Sequence, residues 1–162
     1  MRKNIIITGG LGYIGTELCK IYSGISWNNN IIVIDNRFFS ERVNQLSSWG
    51  IKFVNGDILD KDLLKKYLGN ADIVHHLAGI TDVPRTTKEA NAEKDKKLNL
   101  VALEGTKNVI SAMSKNGKII FPSTHVIYEG IEFARKNITE KDKPLPVLAY
   151  STSKAGNEEQ IK

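Results

Sequence analysis

Five short segments rich in isoleucine and valine, at residues 4–8, 31–35, 52–55, 73–77 and 118–122, limit what this chain can fold into more than any other feature. Several are apolar at consecutive positions rather than alternate ones. A strand of that kind is buried on both faces, which implies a parallel sheet with helices above and below. Helical patterns fill the gaps, at 14–23, 40–48, 61–68, 88–113 and from about 148 to the last residue. Strand-helix alternation requires right-handed crossovers, so a doubly wound α/β fold is expected. With 162 residues, 41% hydrophobic and 25% charged, the chain can bury one real core. Ligands of such sheets bind beyond the carboxyl ends of the strands, so function is to be sought there.

The first strand, Asn4-Ile-Ile-Ile-Thr8, runs into Gly9-Gly-Leu-Gly-Tyr-Ile-Gly15. Gly10-x-Gly12-x-x-Gly15 between a strand and a helix fits a dinucleotide-binding loop, one glycine serving the turn, one the pyrophosphate and one the helix packing. A helix starting near Tyr13 would turn free N–H groups and its positive dipole end toward the phosphates. Asp35 closes the second strand about twenty residues on, where a carboxylate can accept both ribose hydroxyls of an adenosine and repel a 2′-phosphate. That favours NAD over NADP, with Arg37 close enough to accommodate a phosphate.

Other features point to housekeeping roles. The net charge of +5 comes from scattered lysines; Lys65-Lys66 and the run Lys94 to Lys97 are broken by acids and apolar residues, as on a solvated helix face rather than a nucleic-acid stripe. Only Ile5 to Ile7 follow the basic start Met1-Arg-Lys, short of the roughly seven to fifteen apolar residues of an export signal. No run approaches the ~18 apolar residues of a membrane span, and a soluble, cytoplasmic protein is expected. The single cysteine, Cys19, has no internal disulfide partner and reads as a helix-packing residue. His75 and His76 are adjacent on a strand and point to opposite faces, which disfavours one metal site; His75 is expected to pack against a helix and His76 to line the sheet end.

Near the carboxyl end come Ser123-Thr124, at a strand end, and Tyr150-Ser-Thr-Ser-Lys154. Four residues apart on a helix, Tyr150 and Lys154 share one face. Together with the glycine loop, these residues resemble the amino-terminal, NAD-binding part of an extended short-chain dehydrogenase/reductase of the NAD-dependent epimerase/dehydratase family. The resemblance covers essentially the whole chain and implies a Rossmann-like fold. It implies that Gly9, Gly12, Tyr13, Ile14 and Gly15 meet the pyrophosphate, that Asp35 and Asn36 contact the ribose, and that Asp57 and Ile58 contact the adenine. It also implies that Leu77, Ala78 and Gly79 line the cofactor, with Thr124, Tyr150 and Lys154 as the catalytic set. A free tyrosine, with pKa about 10, is a weak base at neutral pH. A nearby ammonium together with a positive nicotinamide would favour its phenolate, and Tyr150 would then take a proton from a sugar hydroxyl as hydride leaves the same carbon. Thr124 would hydrogen-bond the substrate oxygen, and Lys154 would also hold the nicotinamide ribose.

Three departures from the family pattern bear on activity. His125-Val126 follow Thr124 where dehydratases often carry acids, which shifts the expectation toward epimerisation or simple redox chemistry. The family's Asn-x-x-Gly-Thr motif reads Ala102-Leu-Glu-Gly-Thr106, with Asn99 one turn earlier. Glu129 follows Tyr128 where the family has glycine, leaving the loop shape open. The family's enzymes are about twice as long, so the chain is expected to be the NAD-binding part of a larger protein, with a carboxyl-terminal substrate domain lying outside it. The leading expectation is an NAD-dependent nucleotide-sugar epimerase or related oxidoreductase. The alternatives are a reductase or dehydrogenase acting on a non-sugar alcohol, steroid-like or flavonoid-like, and a non-catalytic dinucleotide sensor. The intact Thr124, Tyr150 and Lys154 set argues against the sensor, which needs no proton path. A homodimer is left open.

Overall fold

Five strands, β1 (Asn4–Thr8), β2 (Asn30–Asp35), β3 (Lys52–Asn55), β4 (Ile73–His76) and β5 (Lys118–Ile120), pair in the order β3-β2-β1-β4-β5 with every neighbour parallel. The computed structural model describes residues 2–25, 28–81, 91–132 and 137–162. It divides into two units: Met1–Gly79 with Lys107–Pro122, and Ile80–Thr106 with Ser123–Lys162.

The first unit holds the sheet. Ile5 of β1 lies between Ile31 of β2 and Ile73 of β4, and Ile5, Ile6 and Ile7 are all buried. Burying each such side chain stabilises the fold by about 1.5–3 kcal/mol. Ile5, Ile7, Leu11, Cys19, Ile31, Val33, Leu46 and Ile51 form one core cluster. The strand order reverses direction between β1 and β4, the place where doubly wound sheets bind ligands. Around the sheet are α1 (Tyr13–Ile25), α2 (Ser40–Ser48) and α3 (Lys61–Leu68). The Asp60 carboxylate accepts from the Asp62 and Leu63 amides and starts α3, while Lys65 and Lys66 sit exposed in its last turn, matching the dipole. Burial pushes the Cys19 thiol up to about 12, so it is a packing group and not a nucleophile.

In the second unit, α4 (Ala92–Asn99) begins where Asn91 Oδ1 accepts from the Glu93 and Lys94 amides. A wide π-helical turn, Leu100–Glu104, follows, and then α5 (Gly105–Ala112), within which the chain passes to the first unit. A short 3₁₀ turn, His125–Tyr128, and α6 (Ala149–Ile161) complete the unit. α6 packs against α4, the wide turn and the 3₁₀ turn. At Gly156 the helix comes so near Leu103 of the wide turn that an added Cβ would lie 2.9 Å from its Cδ2, and the leucine side chain would have to shift.

The single helix expected over 88–113 is therefore corrected to two helices and a wide turn, and 88–90 lie outside the described residues. Apolar spacing does not separate an α turn from an inserted π turn. β4 and β5 also end earlier than expected, at His76 and Ile120; Pro122 has no N–H to give a ladder. Among the described residues no helix is long and apolar enough to cross a membrane.

Candidate functional site

Between β1 and α1 the chain makes a tight loop that only glycines permit. Gly9 has φ +70°, and a Cβ there would lie 2.6 Å from the Ala78 backbone nitrogen at the end of β4. At Gly15 a Cβ would meet Gly10 Cα at 2.6 Å, so the first turn of α1 lies directly on the loop. Gly12 is different: an added Cβ would meet Gly9 O at 3.1 Å and Arg37 Nη2 at 3.7 Å, and no core atom. The loop is braced from inside, by Gly12 N–H donating to Gly9 O at 3.0 Å and Thr16 Oγ1 donating to Gly12 O at 2.8 Å. Tyr13 and Ile14 are 82% and 61% exposed, and the first turn of α1 carries no acid to neutralise its positive end. A bare, open helix start behind a glycine bend is a cradle for a pyrophosphate, so the residues fit a dinucleotide.

Asp35, at the end of β2, is buried and multiply bonded. Its Oδ2 accepts the Leu11 N–H at 3.0 Å, and its Oδ1 accepts the Arg37 N–H at 3.0 Å and the Arg37 Nε at 3.3 Å. The carboxylate assigned from sequence to ribose hydroxyls thus also fixes the glycine loop. The Arg37 side chain is 53% exposed and lies over Phe39, whose ring Arg42 also approaches, while Arg42 Nη1 donates to Leu11 O. Asn36 and Asp57 are joined directly, Nδ2 to Oδ2 at 2.9 Å, and Asp57 Oδ1 accepts the Leu59 N–H at 2.9 Å. Ile58 is buried, and its carbonyl accepts from Asn108 Nδ2 at 3.2 Å. Thr8 Oγ1 accepts the Ala78 N–H at 3.3 Å, and Leu77 N–H donates to Thr8 O at 3.1 Å. Leu77, Ala78 and the exposed Gly79 therefore leave β4 beside the glycine loop. His76 is buried, bonded to Thr8 Oγ1 at 2.8 Å and beside Phe121; His75 is bonded to the hydroxyl of Tyr22 on α1 at 2.7 Å and pushed down by burial.

Thr124, Tyr150 and Lys154 all belong to the second unit. Thr124 starts the 3₁₀ turn by accepting the Val126 N–H at 3.4 Å. Tyr150 and Lys154 lie one turn apart on α6, with Nζ 5.9 Å from the phenol ring centre. Burial pushes the Tyr150 phenol up and the Lys154 amine down. The protein's own contribution thus runs against a phenolate. A tie that sequence reasoning missed joins the residue before Thr124 to the helix: Ser123 Oγ donates to Glu158 of α6, 35 positions on. Asn99 ends α4 and Ala102 lies in the wide turn.

The model of the 3-beta hydroxysteroid dehydrogenase/isomerase family matches residues 6–162. A dTDP-D-glucose 4,6-dehydratase of Dictyostelium discoideum is 30% identical over 98% of this chain and 39% of its own length. A CDP-paratose 2-epimerase of Salmonella typhi is 34% identical over 86% of this chain and 44% of its own length. The chain thus spans less than half the length of these relatives. Among solved structures, the UDP-N-acetylglucosamine 4-epimerase of Methanobrevibacter ruminantium, in complex with UDP-N-acetylmuramic acid, superimposes with a TM-score of 0.77 at 28% identity, over 98% of this chain and 49% of that one. The family match and the named relatives differ in emphasis, steroid on one side and nucleotide sugar on the other, yet they agree on the group of enzymes that the motifs resemble. The chain belongs to the 3-beta hydroxysteroid dehydrogenase/isomerase family, and with it to the extended short-chain dehydrogenase/reductases.

Proposed function

We propose that this chain carries the NAD-binding and proton-transfer parts of a cytoplasmic NAD-dependent enzyme that epimerises a nucleotide sugar, or oxidises it in a closely related way. The observation that carries the reading is the second unit's arrangement of a hydroxyl, a phenol and an amine. Tyr150 and Lys154 sit one turn apart on α6, and the segment bearing Thr124 is tied to the same helix through Ser123 and Glu158. A binding module has no use for such a set. NAD, when bound, supplies the two-electron acceptor. Gly9, Gly12, Tyr13, Ile14 and Gly15 would hold its pyrophosphate, Asp35 and Asn36 its ribose, Asp57 and Ile58 the adenine. Leu77, Ala78 and Gly79 would line its path, and Lys154 and Tyr150 would hold the nicotinamide ribose. With the positive nicotinamide ring beside it favouring the phenolate, Tyr150 would take the proton from the sugar hydroxyl and later return it, and Thr124 would orient that oxygen. Because burial favours the neutral phenol, Tyr150 is well suited to the proton-giving half of the cycle. Sugar selection is assigned to a carboxyl-terminal region beyond these residues.

One observation favours a second reading. The matching family is described by its steroid activity, so a ring alcohol is the competing substrate class. The test is to identify the nucleotide that copurifies by mass spectrometry, then to offer the full-length protein UDP-, dTDP- and CDP-sugars beside a hydroxysteroid. Retained NAD and sugar interconversion are expected. Turnover of the steroid alone would overturn the sugar assignment, and bound NADP alone would overturn the cofactor.

A further inference from the structure

α6 carries Tyr150 in its first turn, and the start of the helix is held partly from outside it. Leu148, at the cap position, has no side-chain acceptor, and the first turn of the helix contains no acid. Glu129, the residue that departs from the family's Tyr-Gly pattern, binds the chain just before that turn and one hydroxyl within it. One oxygen, Glu129 Oε1, accepts the Val147 N–H at 2.9 Å, the Leu148 N–H at 2.7 Å and the hydroxyl of buried Ser151. Ser151 Oγ in turn accepts from Leu148 N–H at 3.2 Å. Backbone bonds continue the same seam: Leu145 N–H donates to Ile127 O, and Gly130 N–H donates to Leu145 O, both at 2.9 Å. Burial alone would raise the Glu129 carboxyl, but the bonds from Ser151, Leu148 and Val147 outweigh it and hold the group below its ordinary value.

We propose that Glu129 is a positioning residue for the Thr124, Tyr150 and Lys154 set, a clamp joining the segment that follows Thr124 to the segment that leads into Tyr150. The inference rests on the function proposed above, since only a reacting set needs its members held in register. Geometry supplies the need. Thr124 opens the 3₁₀ turn that ends beside Glu129, and Tyr150 lies just beyond Leu148. Ser123 and Glu158 tie the same two segments at a second point, so the hydroxyl-bearing segment is bound to α6 twice, by two carboxylates. A charged acceptor at a helix start also matches the dipole. Glu129 touches no reacting atom in this role; it acts through the position of α6.

The test compares Glu129→Ala with Glu129→Gln, which keeps an acceptor oxygen. Two readouts need no turnover: the Tyr150 titration, followed by NMR of tyrosine labelled at the ζ carbon, and amide hydrogen exchange at Val147 and Leu148. In Glu129→Ala the Tyr150 pKa is expected to fall back toward its ordinary value as the phenol becomes more solvated. Exchange at both amides is expected to speed up at least about tenfold, the scale of losing a hydrogen bond to a charged group. Glu129→Gln is expected to restore most of both. In the full-length protein, Glu129→Ala should lower kcat more than it changes the KM for NAD. A lower melting temperature with an unmoved Tyr150 titration and unmoved amides would make Glu129 a merely structural residue and overturn the proposal. Normal turnover in Tyr150→Phe would instead remove the functional reading, and the titration and exchange would still decide the clamp.

Discussion

The glycine cradle and the Tyr150 helix are built by opposite means. In the cradle, backbone holds backbone: Gly9 and Gly15 approach main-chain atoms so closely that a Cβ at either would lie within 2.6 Å of them. On α6 the reactive groups are side chains, and other side chains tie down the segments that bear them, with Glu129 and Glu158 bonded to partners 18 to 35 positions away. The difference teaches how each can fail. A cradle defined by the absence of side chains is destroyed by adding one. A set defined by long-range carboxylates loosens when an acceptor is removed, while each group remains present.

The largest expected effect lies in the cradle. Gly12→Val puts a branched side chain where only Gly9 O and Arg37 are near, so the fold should survive and NAD binding should vanish in calorimetry. Undiminished affinity would break the comparison at its first term. Gly9→Ala should act on stability instead, because its positive φ alone costs a non-glycine residue about 1–3 kcal/mol, and the contact with Ala78 adds to that. Denaturant titration would show the midpoint fall.

Asp35→Ala is expected to do two things at once. It should narrow the preference for NAD over NADP, and it should destabilise the loop by about 1.5–3 kcal/mol, the scale of a lost hydrogen bond to a charged group, because the Leu11 amide loses its acceptor. A variant with altered preference and wild-type stability would show that the loop does not depend on Asp35.

The smallest effect is one of pH. Glu129 is held below the ordinary carboxyl value of 4.5, so its contribution to stability is fully present above that value and is lost as pH falls through its lowered folded value. The melting temperature of the native protein should therefore drop more steeply in acid than that of Glu129→Gln. Parallel curves would remove the clamp's share.

The sequence makes local features legible and long-range ones illegible. α3 falls at Lys61–Leu68, where the helical pattern places it, because that pattern is carried by residues that are neighbours in the chain. The glycine loop and the Tyr150–Lys154 spacing are likewise carried within a few residues. The bonds that fix the sites are not. Thr8 meets His76 at a separation of 68 positions, Asn108 meets Ile58 at 50 and Ser123 meets Glu158 at 35, and no periodicity announces such partners. Asp35 could be placed at a strand end, but its grip on Leu11 depends on how the loop folds back. The wide turn at Leu100–Glu104 is hidden for a related reason: it is an inserted residue in a helix whose apolar pattern barely changes.

The most direct test of the central claim, that the cradle binds and Tyr150 moves the proton, is Tyr150→Phe in the full-length protein, with NAD affinity and turnover measured on one sample. The substitution removes only the phenolic oxygen from a half-buried ring. The expected result is an unchanged affinity for NAD with kcat lowered at least about a hundredfold, within the range of general acid-base catalysis. Near-normal turnover would contradict the account, since the proton would then travel by a path that does not include Tyr150.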